Sequence, residues 1–266
     1  MNTGRYIIWN VSPEMFTLGP VTLRWYGLLF ATGFLAGLLV MQWIFRVEGK
    51  PQKDVDRLFQ YVVIGTLVGA RLGHCLFYDP GYYFSNPMEI FKIWKGGLAS
   101  HGTSLGLFLA LFLYSRNTPG QSYLWILDRL SIVTVLAGSF IRLGNLFNSE
   151  ILGNPTDLPW AFVFMRVDAQ PRHPVQLYES ITYALLFVLL VTLYRRARAL
   201  TPPGLLLGVF LTGTFGARFF IEFAKTRQAA FGQELFLSMG QWLSIPLIIL
   251  GAGMLYRSYH HETRPL

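Results

Sequence analysis

Polar residues interrupt an apolar stretch near the middle of the chain. The segment IRLGNLFNSEILG, residues 141–153, holds four polar residues that could act on a ligand, Arg142, Asn145, Asn148 and Glu150, and they are followed by Gly153. The spacing of the first three places them on roughly one face of a helix. An arginine in hydrocarbon costs from about 2.5 to about 17 kcal/mol, and such residues usually face a bundle interior or a watery cavity. A guanidinium group is a rigid fork of donors that suits phosphate, so two or three arginines facing one pocket would indicate a phosphate-bearing ligand.

Other ionisable residues occur at helical spacing elsewhere. Arg218 and Glu222 are four residues apart, close enough to pair on one helix, and Arg71 precedes His74 by three residues. His101 follows a pair of glycines, and histidine is the usual general base near neutral pH. Structural roles remain open for these residues, because buried arginines also pair with glutamates or carbonyl groups, and an interfacial histidine need have no chemical role.

The composition predicts a membrane protein. Of the 266 residues, 53% are hydrophobic, 16% aromatic and 14% charged, whereas a soluble domain has about 25% charged residues. Seven apolar runs are about as long as a bilayer-spanning helix; they lie near residues 25–45, 59–78, 98–115, 130–147, 177–194, 204–224 and 239–256. We therefore predict an all-α polytopic bundle of about seven transmembrane helices, with six or eight as alternatives.

The organisation along the chain indicates a single membrane domain over residues 1–266. No internal repeat or long linker divides it, and the N-terminal segment does not resemble a cleavable signal peptide. Lysines and arginines are modestly enriched after odd-numbered runs, which predicts an external N-terminus and a cytoplasmic C-terminus. Segments near 79–97 and 148–175 are then external loops.

This topology gives five polar residues the same depth. When positions are counted along each predicted helix, all five fall in the outer half of the bilayer: Tyr26, Arg71, His101, Arg142 and Arg218. Their shared depth predicts one polar cavity, open towards the outer leaflet or the external face. A phosphate-bearing molecule in that leaflet would most simply be a phospholipid.

Other classes of chemistry are disfavoured. The single cysteine, Cys75, excludes an internal disulfide and a cysteine-rich metal site, and neither a zinc-protease nor a phosphate-loop motif occurs. His74 and Cys75 are adjacent, so their side chains point in different directions on a helix, and packing is the better explanation for the thiol. The net charge of +8 fits loops that meet anionic lipid head groups better than nucleic acid.

The motifs resemble those of the bacterial prolipoprotein diacylglyceryl transferases. The family signature reads GRx[GA]NF, then an aliphatic residue or Phe, then NxExxG, and residues 142–153 match it in their polar positions. Ile141 replaces the leading Gly and Leu146 replaces Phe. The resemblance continues through further segments: LRWYG around Tyr26, VGARLG around Arg71, WKGGLASHG around His101, PRHPVQLYE at 171–179, GARFFIEF around Arg218, and SMGQWLSIP at 238–246.

The resemblance implies an inner-membrane enzyme that needs no cofactor. Such an enzyme moves the diacylglyceryl group of phosphatidylglycerol onto the lipobox cysteine of a preprolipoprotein, forming a thioether and releasing glycerol phosphate. The nucleophilic thiol then belongs to the substrate, so Cys75 is not required for the chemistry.

The resemblance also implies roles for individual residues. His101 would take the thiol proton, and Arg142 and Arg218 would hold the phosphate, while Arg142 with Glu150 could instead activate the thiol electrostatically. The other implied site residues orient these groups or shape the pocket: Tyr26, Arg71, Asn145, Asn148, Gly153 and Glu222. Lys225 stands where some members carry arginine. Two alternatives remain: an anion or lipid transporter or binding protein without chemistry, and a divergent member that transfers another lipid group or has lost activity.

Overall fold

Helices account for most of the computed structural model, which describes residues 6–19, 21–92, 96–226 and 236–262. Their bounds are α1 Trp25–Val47, α2 Gln52–Phe77, α3 Pro80–Ser85, α4 Ser100–Asn117, α5 Tyr123–Asn148, α6 Val175–Ala197, α7 Leu205–Ile221 and α8 Met239–Glu262. Each predicted apolar run coincides with a long helix. Residues 93–95, in the predicted external loop and in the WKGGLASHG segment, lie outside the described residues.

Membrane-spanning character is supported for five helices in the described part of the chain. By length and composition these are Trp25–Val47, Tyr123–Asn148, Val175–Leu200, Leu205–Ala224 and Met239–His260. The chain is thus a mostly helical membrane protein. Helix α2 and helix α4 fall outside this set, so the seven spans and the orientation of the termini stay predictions.

Two small sheets accompany the helices, which the all-α prediction omitted. Strand β1, Ile7–Trp9, pairs in parallel with β4, Phe162–Phe164, which pairs antiparallel with β5, Pro171–Arg172. Strands β2, Glu14–Leu18, and β3, Val21–Arg24, form a hairpin. Strands of two to five residues are too short for an alternating pattern to identify them.

The chain falls into two compact units. The first contains Met1–Met41 and Asp128–Leu266, and the second contains Gln42–Leu127. The expectation of one domain over the whole chain stays a prediction.

Polar contacts fix the helices of the first unit. On α5, Ser139 Oγ donates to the carbonyl of Ser180 on α6 at 2.9 Å, and Ser180 Oγ donates to the carbonyl of Ser139 at 3.0 Å. The buried Asp128 accepts from the backbone N–H groups of Gly204 at 2.7 Å and Leu207 at 2.9 Å. It thereby satisfies free donors at the start of α7. These contacts set the positions of the helices that carry the site.

Glycines bring α2 and α4 into close contact in the second unit. A Cβ atom at Gly106 would lie 2.2 Å from the carbonyl oxygen of Gly65, and one at Gly102 would lie 2.1 Å from that of Gly69. Small residues at helical spacing let membrane helices approach until their backbones touch. This contact fixes the start of α4, where His101 lies.

Candidate functional site

Two cations from different elements meet at one buried carboxylate. Arg142, on α5, places its Nε atom 2.8 Å from Glu179 Oε2, and Lys225 places its Nζ atom 3.2 Å from Glu179 Oε1. The side chain of Glu179, on α6, is only 1% exposed, and those of Arg142 and Lys225 are 18% and 10% exposed. Charges removed from water to this extent need such partners.

The polar residues that follow Arg142 form a chain of hydrogen bonds. Arg142 Nη1 donates to Asn145 Oδ1, and Asn145 Nδ2 donates to Glu150 Oε2, each at 3.1 Å. Asn148 Nδ2 donates to Glu150 Oε1, also at 3.1 Å. The structure therefore brings together four of the predicted site residues. Glu150 is exposed, so its carboxylate remains accessible.

The end of α5 explains how Glu150 turns back towards this helix. The N–H of Ser149 donates to the carbonyl of Leu146, and the N–H of Glu150 donates to that of Asn145, both at 3.0 Å. This pattern is a Schellman motif, which usually has glycine where Ser149 stands with φ 55°. Ile151 has φ 57°, a sterically costly value for a β-branched residue that recurs mostly near functional sites.

Gly153 lies where three segments of backbone meet. A Cβ atom there would come 2.3 Å from the carbonyl oxygen of His173 and 2.9 Å from that of Ala224. Gly153 also forms an antiparallel bridge with Lys225. The absence of a side chain thus allows the segment after α7 to carry Lys225 to Glu179.

The predicted ion pair between Arg218 and Glu222 does not form in the described structure. Helix α7 ends at Ile221, but the N–H of Glu222 still donates to the carbonyl of Arg218, so the side chains and not the backbone separate the two residues. The Glu222 carboxylate instead lies 3.6 Å from Lys225 and against Gly240 at the start of α8, where the helix dipole favours an anion.

Arg218 keeps a donor without an acceptor. Its Nε atom is buried and has no hydrogen-bond partner among the described residues. Tyr183, on α6, interacts electrostatically with both Arg218 and Arg142. A buried donor without a partner is costly, which makes Arg218 suited to an incoming anion.

Tyr26 lies beside the arginine segment. Its ring packs on Gly144, where a Cβ atom would come 2.8 Å from Tyr26 Cδ2. Next to it, Trp25 stacks on Phe147 with ring centroids 4.8 Å apart. Both aromatic residues pack on the final turns of α5, and the pocket-shaping role of Tyr26 stays a prediction.

Arg71, in the second unit, donates to backbone carbonyl groups. Nε donates to Ile90 O at 2.8 Å, and Nη1 donates to Gly96 O at 2.6 Å and to Gly97 O at 3.2 Å. Nη2 donates to the carbonyl of Glu89. The side chain is 4% exposed, and its guanidinium lies 5.0 Å from the centroid of the Tyr83 ring. Arg71 therefore organises the loop before α4.

His101 lies in the first turn of α4 and is exposed. The preceding loop is fixed by a 2.9 Å hydrogen bond from the N–H of Ala99 to the carbonyl of Ala70. His74 packs against Gly97, and its ring stacks on Tyr78. Since Arg71 and His101 belong to the second unit and the other predicted residues to the first, the single shared cavity stays a prediction.

Sequence reasoning missed the central roles of Glu179 and Lys225. The motifs include Glu179 only as the last residue of PRHPVQLYE, and Lys225 only as a departure from the family pattern. A signal was present, because Glu179 lies inside the apolar run at 177–194, and a carboxylate in a membrane helix is itself a sign of function.

The loop between α5 and α6 holds two groups with altered pKa values. A side-chain hydrogen bond from Arg172 lowers the pKa of Asp168, and burial lowers the pKa of His173. Arg172 Nη1 also donates to the carbonyl of Gly153 at 3.2 Å. The loop is therefore connected to the strand segment at Gly153.

Comparison with known proteins gives consistent matches over nearly the whole chain. A family model described as prolipoprotein diacylglyceryl transferase matches residues 13–257. A protein of Chloroherpeton thalassium named phosphatidylglycerol–prolipoprotein diacylglyceryl transferase is 55% identical, over 97% of this chain and 96% of that protein. Proteins of the same name from Tolumonas auensis and Porphyromonas gingivalis are 50% and 44% identical, each over 97% of this chain and over 100% and 96% of their own lengths.

Proposed function

This chain belongs to the prolipoprotein diacylglyceryl transferase family, and on that premise we propose that it transfers the diacylglyceryl group of phosphatidylglycerol to the lipobox cysteine of a preprolipoprotein. The thiolate sulfur attacks the glycerol carbon that carries the phosphate. A carbon–sulfur bond forms, the carbon–oxygen bond breaks, and glycerol phosphate leaves with the electron pair.

The observation that carries this proposal is the buried Nε donor of Arg218, which has no acceptor among the described residues; Arg218 and Arg142 both interact electrostatically with Tyr183. The phosphodiester of the lipid has one negative charge, and the departing phosphate monoester gains a second. Cationic groups that are already in place stabilise this growing charge more in the transition state than in the ground state. Arg142 and Arg218 are therefore the proposed phosphate-binding pair.

Removal of the thiol proton is assigned to His101. Its ring is exposed at the start of α4, and a free thiol with a pKa near 8.5 must lose its proton to react. Glu150 is the alternative, because its accessible carboxylate is oriented by Asn145 and Asn148. Variants of His101 and of Glu150 separate these two assignments.

The remaining predicted residues act on the shape of the site. Tyr26 packs on the end of α5, and Gly153 allows the close approach of the Lys225 segment. Glu222 acts through Lys225 rather than through Arg218. The geometry favours a positioning role for Arg71, whose guanidinium donates to four carbonyl groups, over direct contact with phosphate.

The membrane arrangement follows from the same premise. We infer that α2, of 26 residues, and α4, of 18 residues, also cross the bilayer, giving seven spans. Their glycine-mediated contact is the packing that membrane helices use. The N-terminus is then external, the C-terminus lies in the cytoplasm, and the site faces the outer leaflet of the inner membrane. The reaction requires no cofactor, so we expect a chelator to leave its rate unchanged.

The test is transfer by the purified full-length chain. The substrates are phosphatidylglycerol labelled in its diacylglycerol part and a lipobox peptide, and the products measured are lipidated peptide and free glycerol phosphate. Replacing Arg142 or Arg218 by alanine should lower the rate by about 10²- to 10³-fold, as loss of a transition-state donor does. Arg195→Ala, at the exposed far end of α6, is the matched control.

Variants of His101 and Glu150 identify the residue that takes the proton from the substrate thiol. Loss of transfer in both His101→Ala and His101→Asn supports His101, whereas a near wild-type rate for His101→Asn together with an inactive Glu150→Gln assigns the proton to Glu150. Binding of phosphatidylglycerol by the wild-type chain without any transfer would overturn the proposed reaction and favour a transport or binding protein.

A further inference from the structure

Glu179 is a buried carboxylate for which the proposed reaction has no direct use. Its side chain is 1% exposed and lies in the second turn of α6, within a helix apolar enough to span a membrane. An ionised carboxylate in such surroundings costs several kcal/mol unless opposite charges compensate it. Each of its two oxygens lies near a different cation, Arg142 and Lys225.

The contact with Arg142 sets the direction of a planar group. Nε lies 2.8 Å from Glu179 Oε2, and Nη1 donates to Asn145. Because the guanidinium is planar and rigid, two fixed nitrogens also fix the third, Nη2. The guanidinium of Arg142 is therefore held in one orientation beside Glu179.

Lys225 is anchored by both its backbone and its side chain. Its backbone forms the bridge with Gly153, and its ammonium group lies 3.2 Å from Glu179 and 3.6 Å from Glu222. An ammonium group has three donors. Two carboxylates therefore hold this cation beside Arg142, with which it shares Glu179.

Arg142 and Lys225 would repel each other without the carboxylate between them. Two like charges in a poorly hydrated site interact much more strongly than they do in water. Glu179 attracts both and so keeps them together.

We propose that Glu179 is a positioning residue that holds Arg142 and Lys225 together as a two-cation platform for the phosphate of the donor lipid. This makes Lys225 a third phosphate-binding cation beside the two arginines. The inference rests on the proposed function, since it takes its ligand from that reaction. Glu179 itself does not touch the reacting atoms.

The experiment is a double-mutant cycle on the full-length chain. It compares wild type, Glu179→Gln, Lys225→Met and the double variant, with Glu179→Asp as the conservative replacement that retains the charge. Two quantities are measured: the kcat and KM of transfer, and the binding of phosphatidylglycerol in nanodiscs without peptide, with phosphatidylcholine nanodiscs as the control. The thermal unfolding midpoint of each variant identifies any that fail to fold.

Glu179→Gln should weaken phosphatidylglycerol binding and lower kcat by about tenfold or more, with the KM for the peptide unchanged. Glu179→Asp should recover part of the loss. The double variant should be no worse than the poorer single variant, because both substitutions dismantle one arrangement.

Two results would overturn the inference: a Glu179→Gln chain within twofold of wild type in binding and kcat, or single losses that multiply in the double variant. If Glu179→Gln does not fold, the cycle is run with Glu179→Asp and the same criteria apply. A wild-type chain that transfers nothing would refute the proposed function alone, since the lipid-binding cycle would still decide the role of Glu179.

Discussion

Ser139 and Ser180 each donate a hydrogen bond to the other's backbone carbonyl across the contact between α5 and α6. The pair lies three residues before Arg142 and one residue after Glu179. It therefore fixes the rotation and depth of the two helices at the point where the arginine must meet the carboxylate. The ion pair between Arg142 and Glu179 therefore depends on the neutral hydrogen bonds between Ser139 and Ser180.

Removing this serine pair should loosen the site at modest cost in stability. Ser139→Ala should lower the free energy of unfolding by about 0.6 kcal/mol, and by at most about 1.7 kcal/mol, the range found for hydrogen bonds between membrane helices. Adding Ser180→Ala should cost a similar further amount, because each hydroxyl donates to a backbone carbonyl that remains when the other serine becomes alanine. Reversible unfolding in detergent measures this, and a double variant as stable as Ser139→Ala alone would contradict two separate hydrogen bonds.

Substitution of Gly153 tests whether the close approach of three backbone segments at this residue is required. Alanine there would place Cβ 2.3 Å from the carbonyl oxygen of His173, so one of the three segments must move. We expect a loss of about 1–3 kcal/mol of unfolding free energy, as for overpacked sites, together with loss of transfer activity because Lys225 is displaced. The control is Gly253→Ala on α8, where a Cβ atom meets nothing within 4 Å. Equal behaviour of the two variants would refute this requirement.

The sequence was sufficient to predict the helices and the hydrogen-bonded residues around Arg142. The apolar runs are long, so they predict helices without any knowledge of tertiary contacts. The spacing of Arg142, Asn145 and Asn148 is local to one helix, and the structure joins these residues through Glu150. Both predictions depend on periodicity, which is a property of the sequence itself.

The role of Glu179 and the partner of Glu222 depend instead on contacts between segments that are distant in sequence. Glu179 lies near the start of its apolar run and could have been a solvated interfacial residue; only the approach of α5 and of the Lys225 segment makes it a buried counter-ion. The expected pair of Arg218 with Glu222 does not form although the helical hydrogen bond between their backbones is intact, because the Glu222 carboxylate lies near Lys225. The position of Lys225 depends on the path of the segment after α7, which no periodic signal in the sequence predicts.

Arg71 can be tested as an organiser of the loop before α4. Arg71→Lys keeps the charge but cannot donate to all four carbonyl groups. We therefore expect faster amide hydrogen exchange in residues 89–92 and 96–99 and reduced transfer, with the KM for phosphatidylglycerol little changed. Arg116→Lys is the control in the same unit, since Arg116 stacks on Phe112 at the other end of α4. A raised KM for the lipid with unchanged exchange would instead assign Arg71 to phosphate.

His173 should make stability depend on pH just below neutrality. Trp160 Nε1 donates to the Tyr178 hydroxyl at 2.9 Å, and that hydroxyl lies 3.2 Å from His173 Nδ1. An indole can only donate, so the phenol accepts from Trp160 and can donate its own hydrogen to an unprotonated Nδ1. Burial lowers the pKa of His173, so the neutral ring is the form that the folded loop favours.

The sign of the effect follows from proton linkage. The unfolded chain, with a histidine pKa of about 6.5, binds more protons than the folded chain, so the contribution of His173 is complete above that pH. It is lost as the pH falls through 6.5 towards the lower folded pKa. Asp168 does not interfere, because the hydrogen bond from Arg172 lowers its pKa, and its contribution is lost only below about pH 4. The measurement is the unfolding midpoint between pH 5 and pH 8 for wild type and His173→Asn, whose amide oxygen accepts from Tyr178 without titrating. We expect the wild-type midpoint to fall relative to the variant below pH 6.5, and parallel curves would show that His173 is not the titrating group.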